Sequence, residues 1–196
     1  MKVSFLKTAT SAALICFSLI FASCASIPEP SEKNSNLLYG NVSFNFTCIP
    51  NNYGIPESSE KSNGIEVKFK SVKTNKTITM TTNNKGEFYR TNVPEGTYVF
   101  KSLKAKVNYG GGYEAEYIAD FSKTPKESYF YFVSLGNAVM NLGKINLDIS
   151  ITDINYYSYY IRWDEDFDET YYNFCMEHPD SNWINKDWYT RKETTE

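Results

Sequence analysis

From Leu37 to Thr152 the apolar residues of this chain recur at every second position, and this period constrains its fold more than any other feature. Ile145, Leu147, Ile149 and Ile151 alternate with Lys144, Asn146, Asp148 and Ser150. Val42, Phe44, Phe46 and Cys48 alternate with Ser43, Asn45 and Thr47, and Ile65, Val67 and Phe69 with Glu66, Lys68 and Lys70. Successive side chains of a strand point to opposite faces, so each stretch buries one face and wets the other. Turn-forming clusters separate the stretches: Asn83-Asn84-Lys85-Gly86, Val93-Pro94-Glu95-Gly96 and Gly110-Gly111-Gly112. No helical period competes in this region. The pattern predicts a mainly β domain over 37–152, an antiparallel β-sandwich of about seven or eight strands.

One strand breaks its own parity. Tyr98 and Phe100 share a face, yet Leu103, Ala105 and Val107 have the opposite parity. A regular strand cannot bury both sets on one side, which predicts a bulge or sheet crossing near Lys101 and Ser102.

Beyond Asp153 the character changes. Tyr156, Tyr157, Tyr159, Tyr160 and Trp163 crowd ahead of the acidic run Asp164-Glu165-Asp166-Phe167-Asp168-Glu169. Tyr171, Phe174, Cys175 and His178 fall at helical spacing before Pro179, and Asp180 or Ser181 is placed to cap a second short helix carrying Trp183, Ile184 and Trp188. The expectation for 153–196 is a short helical C-terminal tail packed on the sandwich. Aromatic residues make up 16% of the chain, more than one sandwich core requires, and A/T-rich codon usage accounts for part of that excess, with 19 Asn and 17 Lys against 3 Arg. Tyr156, Tyr159, Trp163, Trp183 and Trp188 are therefore either a packing face or a contact surface for a sugar, small ligand or protein.

The N-terminus carries a separate signal. Lys2 and Lys7 precede an apolar run from Ala12 to Ala22, too short for the roughly 20 residues that span a bilayer. It ends in Phe21-Ala22-Ser23-Cys24, which resembles the lipobox of bacterial lipoproteins. That resemblance implies a signal peptide over 1–23, cleavage between Ser23 and Cys24, and a lipid on the Cys24 thiol. Phe21 departs from the usual Leu and is similar to the relaxed lipoboxes of spirochaetes. Acyl chains contribute about 0.8 kcal/mol per buried CH₂, so two or three of them hold a domain on a membrane. The implied partner is a membrane, the cell membrane or outer membrane, with the domain lipid-anchored outside the cytoplasm. Residues 24–36 contain Pro28, Pro30 and polar residues without apolar periodicity and read as a lipidated N-terminus and flexible tether.

A second resemblance lies inside the sandwich. Gly64-Ile65-Glu66-Val67, Thr81-Thr82-Asn83, Gly86-Glu87-Phe88, Val93-Pro94-Glu95-Gly96-Thr97-Tyr98 and Asn141-Leu142-Gly143-Lys144-Ile145 are similar to carboxypeptidase-regulatory, transthyretin-like domains. The motif specifies turns and packing, so it implies a fold and little chemistry. The hydroxyisourate hydrolases of that fold require several histidines and a Tyr-Arg-Gly-Ser ending, and this chain has His178 alone.

The same histidine count excludes His-based metal clusters, and Asp164, Asp166 and Asp168 are followed by Glu169 and Cys175 where a calcium loop of the EF-hand type requires Gly and Glu. Neither a catalytic set nor a cofactor is expected. A formal charge of -3 without a basic run argues against nucleic acid. With Cys16 in the signal peptide and Cys24 lipidated, Cys48 and Cys175 remain as a possible disulfide or as separate buried thiols. The expectation is a non-catalytic binding or structural module whose partner, a protein or a glycan, the residues do not name.

Overall fold

The computed structural model describes residues 27–31, 35–48, 58–61, 63–110, 113–121, 130–153, 156–164 and 167–191. Ser23 and Cys24, with the whole of the expected signal peptide, lie outside the described residues. Among the described residues the fold is a mainly β sandwich of two sheets with one short α-helix. Eleven strands occur among the described residues: β1 (Leu37–Cys48), β2 (Ser58–Lys61), β3 (Glu66–Ser71), β4 (Thr77–Thr81), β5 (Glu87–Thr91), β6 (Gly96–Gly110), β7 (Tyr113–Asp120), β8 (Tyr131–Ser134), β9 (Ala138–Asp153), β10 (Tyr156–Asp164) and β11 (Asp187–Thr190). Helix α1 (Phe167–Glu177) and a 3-10 turn (Asn182–Asn185) stand between β10 and β11.

The first sheet runs β10-β9-β1-β2, with β11 also on β9 and β5 also on β1. Its two central strands are 12 and 16 residues long, so each edge accommodates two short partners in succession. The second sheet runs β4-β3-β6-β7, with β8 also on β6. Pairing is not antiparallel throughout: β1 and β11 each lie parallel to β9. The second sheet intervenes in sequence between β1 and β9, and α1 between β10 and β11, and such long crossovers permit parallel neighbours that a hairpin forbids.

Alternation predicts the core well. Val42, Phe44, Phe46, Ile65, Val67, Phe69, Ile145, Leu147 and Ile149 are all buried. The sheets meet through rings, Phe44 against Tyr117 at 6.4 Å and Phe69 against Phe88 at 6.3 Å between centroids. The parity break in β6 is a bulge: Phe69 pairs with Phe100 while Lys68 pairs with Ser102, leaving Lys101 as the extra residue. Phe100 and Leu103 thereby face the same core.

The turns follow their residues. Gly86 takes φ 79°, and the Asn83 carboxamide oxygen accepts the N–H groups of Lys85 and Glu87 at 2.9 and 3.0 Å. In the Val93–Gly96 turn, the Tyr98 hydroxyl donates to the Pro94 carbonyl at 2.9 Å. Asn36 clamps that turn, accepting from Val93 N at 2.8 Å and donating to Val93 O at 2.8 Å and Leu135 O at 2.9 Å.

The tail departs from the expected pair of helices. Tyr156–Asp164 forms β10, antiparallel to β9. Its β-branched and aromatic residues alternate, with Trp163 buried and Ile161 packed against the core while Tyr160 faces water. Helix α1 ends one residue before His178, and Ser181 caps the 3-10 turn, accepting from Trp183 N at 3.4 Å. Trp188 lies not in a helix but in β11, on the edge of the first sheet.

The N-terminal segment is likewise no free tether at its described residues. Ile27 is 3% exposed and belongs to a smaller core with Leu37, Tyr39, Val139, Phe174 and Trp183. Among polar neighbours Ile27 is the side chain with apolar surface to lose, and it finds the end of the sandwich.

Candidate functional site

An open cleft of about 440 Å³ lies beside the expected aromatic residues, between the start of α1 and β11. Phe167, Asp168 and Tyr171 line it from the helix, Ile184 and Lys186 from the 3-10 turn and the residue that follows it, and Asp187 to Thr190 from the edge strand. Both walls are set by specific bonds. Buried Asn141 donates to the Phe167 carbonyl at 3.0 Å and accepts the Gly143 N–H at 3.0 Å, joining the first turn of α1 to the β9 backbone. At this point β9 carries an extra residue against β1, between the Tyr39–Asn141 and Asn41–Lys144 pairs. Gly143 takes φ 69°, and a Cβ there would approach the Asp164 carbonyl to 2.6 Å. Trp163 completes the corner by donating its indole N–H to the Leu142 carbonyl.

Trp188 is the aromatic centre of the cleft. Its ring meets Tyr171 at 4.9 Å and 73°, and Phe174 at 4.9 Å and 66°, both edge-to-face. The indole N–H donates to the Trp183 carbonyl at 3.0 Å, which fixes the ring. Tyr171 hydrogen-bonds to Cys175 one helical turn on, and that bond is the chief reason its phenol stays above the ordinary value. Lys186 turns its ammonium to the Asn137 side-chain oxygen. The lining thus combines a rigid aromatic wall with the carboxylates of Asp168 and Asp187, which accept hydrogen bonds from hydroxyl or amine donors.

The residues singled out by the aromatic pattern separate into different roles. Trp183 is fully buried, and Trp163 is 8% exposed and packs on Phe130 at 4.9 Å and Phe100 at 5.8 Å, with Arg191 over its ring at 5.2 Å. Both belong to cores. Tyr159 lies half-exposed on the edge strand β10 against Phe121 at 6.0 Å, away from the cleft. The side chain of Tyr156 lies outside the described residues. Of the four whose side chains are described, Trp188 alone is among the residues that line the cleft. Tyr171, Phe167 and Asn141 escaped sequence reasoning as site residues. The helical spacing of Tyr171 and its place three positions after Asp168 are the signals that point to a shared face.

Cys175 carries a free thiol. Its neighbour Phe174 meets Tyr39 at 4.9 Å, near the start of β1. Cys48 stands at the other end of that strand, roughly 30 Å away in extended backbone, and a disulfide requires Cα atoms about 6 Å apart. The bridge considered between Cys48 and Cys175 is therefore not made.

A buried polar cluster lies beneath α1. The Tyr39 hydroxyl donates to Glu87 Oε1 at 2.7 Å, Asn83 Nδ2 donates to Glu87 Oε2 at 2.6 Å, and His178 Nε2 approaches Glu87 Oε1 at 3.4 Å. Burial, then the charge and hydrogen bond of Glu87, push the Tyr39 phenol far above its ordinary value. His178 also packs on the Phe174 ring at 4.9 Å. Asp168 and Glu169 occupy the first helical turn, where carboxylates suit the helix dipole. No helix among the described residues is long and apolar enough to cross a membrane. Comparison with protein-family models, with curated proteins and with solved structures finds no match to this chain.

Proposed function

We propose that the chain is a lipid-anchored protein of the cell envelope, in the cell membrane or outer membrane, whose transthyretin-like sandwich acts as a non-catalytic binding or structural module. The observation that carries the binding role is the cleft between α1 and β11, where Trp188 and Tyr171 stand beside Asp168 and Asp187. Rings held by a strand, a helix and an indole hydrogen bond are preorganised, which limits the ordering cost of binding. The anchor rests on Lys2, Lys7, the apolar run and Cys24. The transthyretin-like kinship rests on the Gly86 and Val93–Gly96 turns and on the Tyr98 hydroxyl that braces the second. The non-catalytic reading is supported by His178, which faces buried Glu87 and the Phe174 ring instead of the cleft.

The cleft favours one second reading, a carbohydrate or other small polyhydroxylated ligand. An aromatic ring takes the apolar C–H face of a sugar while carboxylates accept from its hydroxyls. Two experiments test the proposal. Radiolabelled palmitate enters the wild-type protein and not Cys24→Ala; equal labelling of both removes the anchor. Titration with a panel of envelope glycans, followed by tryptophan fluorescence and calorimetry, should show affinity falling at least about tenfold, or 1.4 kcal/mol, in Trp188→Ala. Binding that Trp188→Ala and Tyr171→Ala leave unchanged places the contact elsewhere.

A further inference from the structure

The residues that follow Cys24 are pinned to the fold at three successive positions. Ile27 fills the smaller core, the Pro28 carbonyl accepts the Trp183 indole N–H at 2.8 Å, and Glu29 Oε2 accepts the Asn182 backbone N–H at 2.8 Å. The two hydrogen bonds fall on the 3-10 turn, and Ile27 joins the core to which that turn contributes Trp183. Ala25 and Ser26 alone separate Cys24 from Ile27 in sequence. Three Cα steps span at most about 11 Å.

We infer that the end of the sandwich carrying the Pro179–Lys186 segment is a membrane-apposed surface, held at the phospholipid headgroups by a leash too short to let it swing away. This rests on the lipid-anchor reading above. A long flexible tether would leave the domain free to present any face, whereas a leader docked by a core side chain and two hydrogen bonds removes that freedom. The opposite pole is defined by β6. This strand leaves the Val93–Gly96 turn, which Asn36 clamps beside Leu37 at the leader's end, and reaches Lys106 roughly 30 Å further on. The cleft shares the near end, because Ile184 and Lys186 form part of its wall and Ile184 also packs against the core that holds Ile27. A ligand of the cleft is accordingly met close to the bilayer surface.

The test uses the lipidated full chain, with Cys48 and Cys175 replaced by serine and a single reporter cysteine introduced as Asp180→Cys or Lys106→Cys. Asp180 is exposed two residues before Asn182, and Lys106 is exposed at the far pole. Each is labelled with an environment-sensitive fluorophore and reconstituted into phosphatidylglycerol/phosphatidylcholine vesicles that carry a headgroup nitroxide quencher. The expected result is quenching several-fold stronger at position 180 than at 106. A long Gly/Ser insertion between Ser26 and Ile27 should erase the difference while the protein still floats with the vesicles. Equal quenching at both positions in a protein that floats overturns the orientation with the anchor intact. A protein that does not float overturns the anchor itself, and the orientation with it.

Discussion

Tyr39 shows how much a single side chain does in this fold. Its ring packs on Phe174 while its hydroxyl donates to Glu87, so one residue joins the smaller core to a buried carboxylate. The phenol is raised above its ordinary value of 10.0 in the folded state, which means that the unfolded chain releases that proton first as pH rises. This contribution to stability is therefore complete below about pH 10 and declines above it, by roughly 1.4 kcal/mol per pH unit. Tyr39→Phe should make the alkaline slope shallower and cost about 1–3 kcal/mol at neutral pH, since Glu87 loses a donor. Urea midpoints for both proteins from about pH 8 to pH 11 check this; parallel curves would refute it. Gly143 is the second such residue. At φ 69° with the Asp164 carbonyl 2.6 Å from a notional Cβ, Gly143→Ala must displace backbone. A loss of about 2–4 kcal/mol is expected by chemical denaturation. Neither role was legible in sequence: Tyr39 stands among apolar neighbours like any core residue, and a close approach is a property of two segments, not of one.

At the scale of elements, alternation carried the reading a long way. The parity conflict between Phe100 and Leu103 marked the irregular point of β6 from sequence, and the register with β3 makes it a bulge and not a sheet crossing. Removing Lys101 leaves both sets facing inward, so that deletion should retain a cooperative unfolding transition. Deleting Lys104 inverts Ala105 and Val107 and should abolish it, with near-UV circular dichroism as the readout. The segment Tyr156–Asp164 was harder. Tyr159, Ile161 and Trp163 alternate as a strand does, but exposed Tyr160 fills the gap with another aromatic ring and masks the period. Its strand character comes from β9, which extends 16 residues and offers an unpaired edge. Helix α1 was legible through its spacing before Pro179, whereas the second helix expected after a cap at Asp180 or Ser181 shortens to a 3-10 turn that Ser181 caps. The site they form with β11 was not, since Trp188 and Tyr171 are brought together by a crossover that no local pattern encodes.

The whole molecule is tied together at one end. The smaller core draws Ile27 from the leader, Leu37 and Tyr39 from β1, Val139 from β9, Phe174 from α1 and Trp183 from the 3-10 turn. Segments far apart in sequence thus depend on one another. Ile27→Ala should cost about 2 kcal/mol or more and raise hydrogen exchange in α1 and β11, while β3 and β6 in the other sheet keep their protection. Uniform loosening of both sheets would show that the leader is integral to the main core instead. The sequence by itself determined that this chain is a mainly β sandwich, where its turns lie, which residues of β1, β3 and β9 face inward, and where β6 breaks its alternation. These follow from a period of two and from turn chemistry, both of which act over a few residues. Tertiary structure alone decided the parallel pairing of β1 with β9, the division of the tail aromatics into two cores and one cleft, the free thiol of Cys175 and the docking of Ile27. Each of these depends on which distant surfaces lose water together, and burial depends on the partner as much as on the residue.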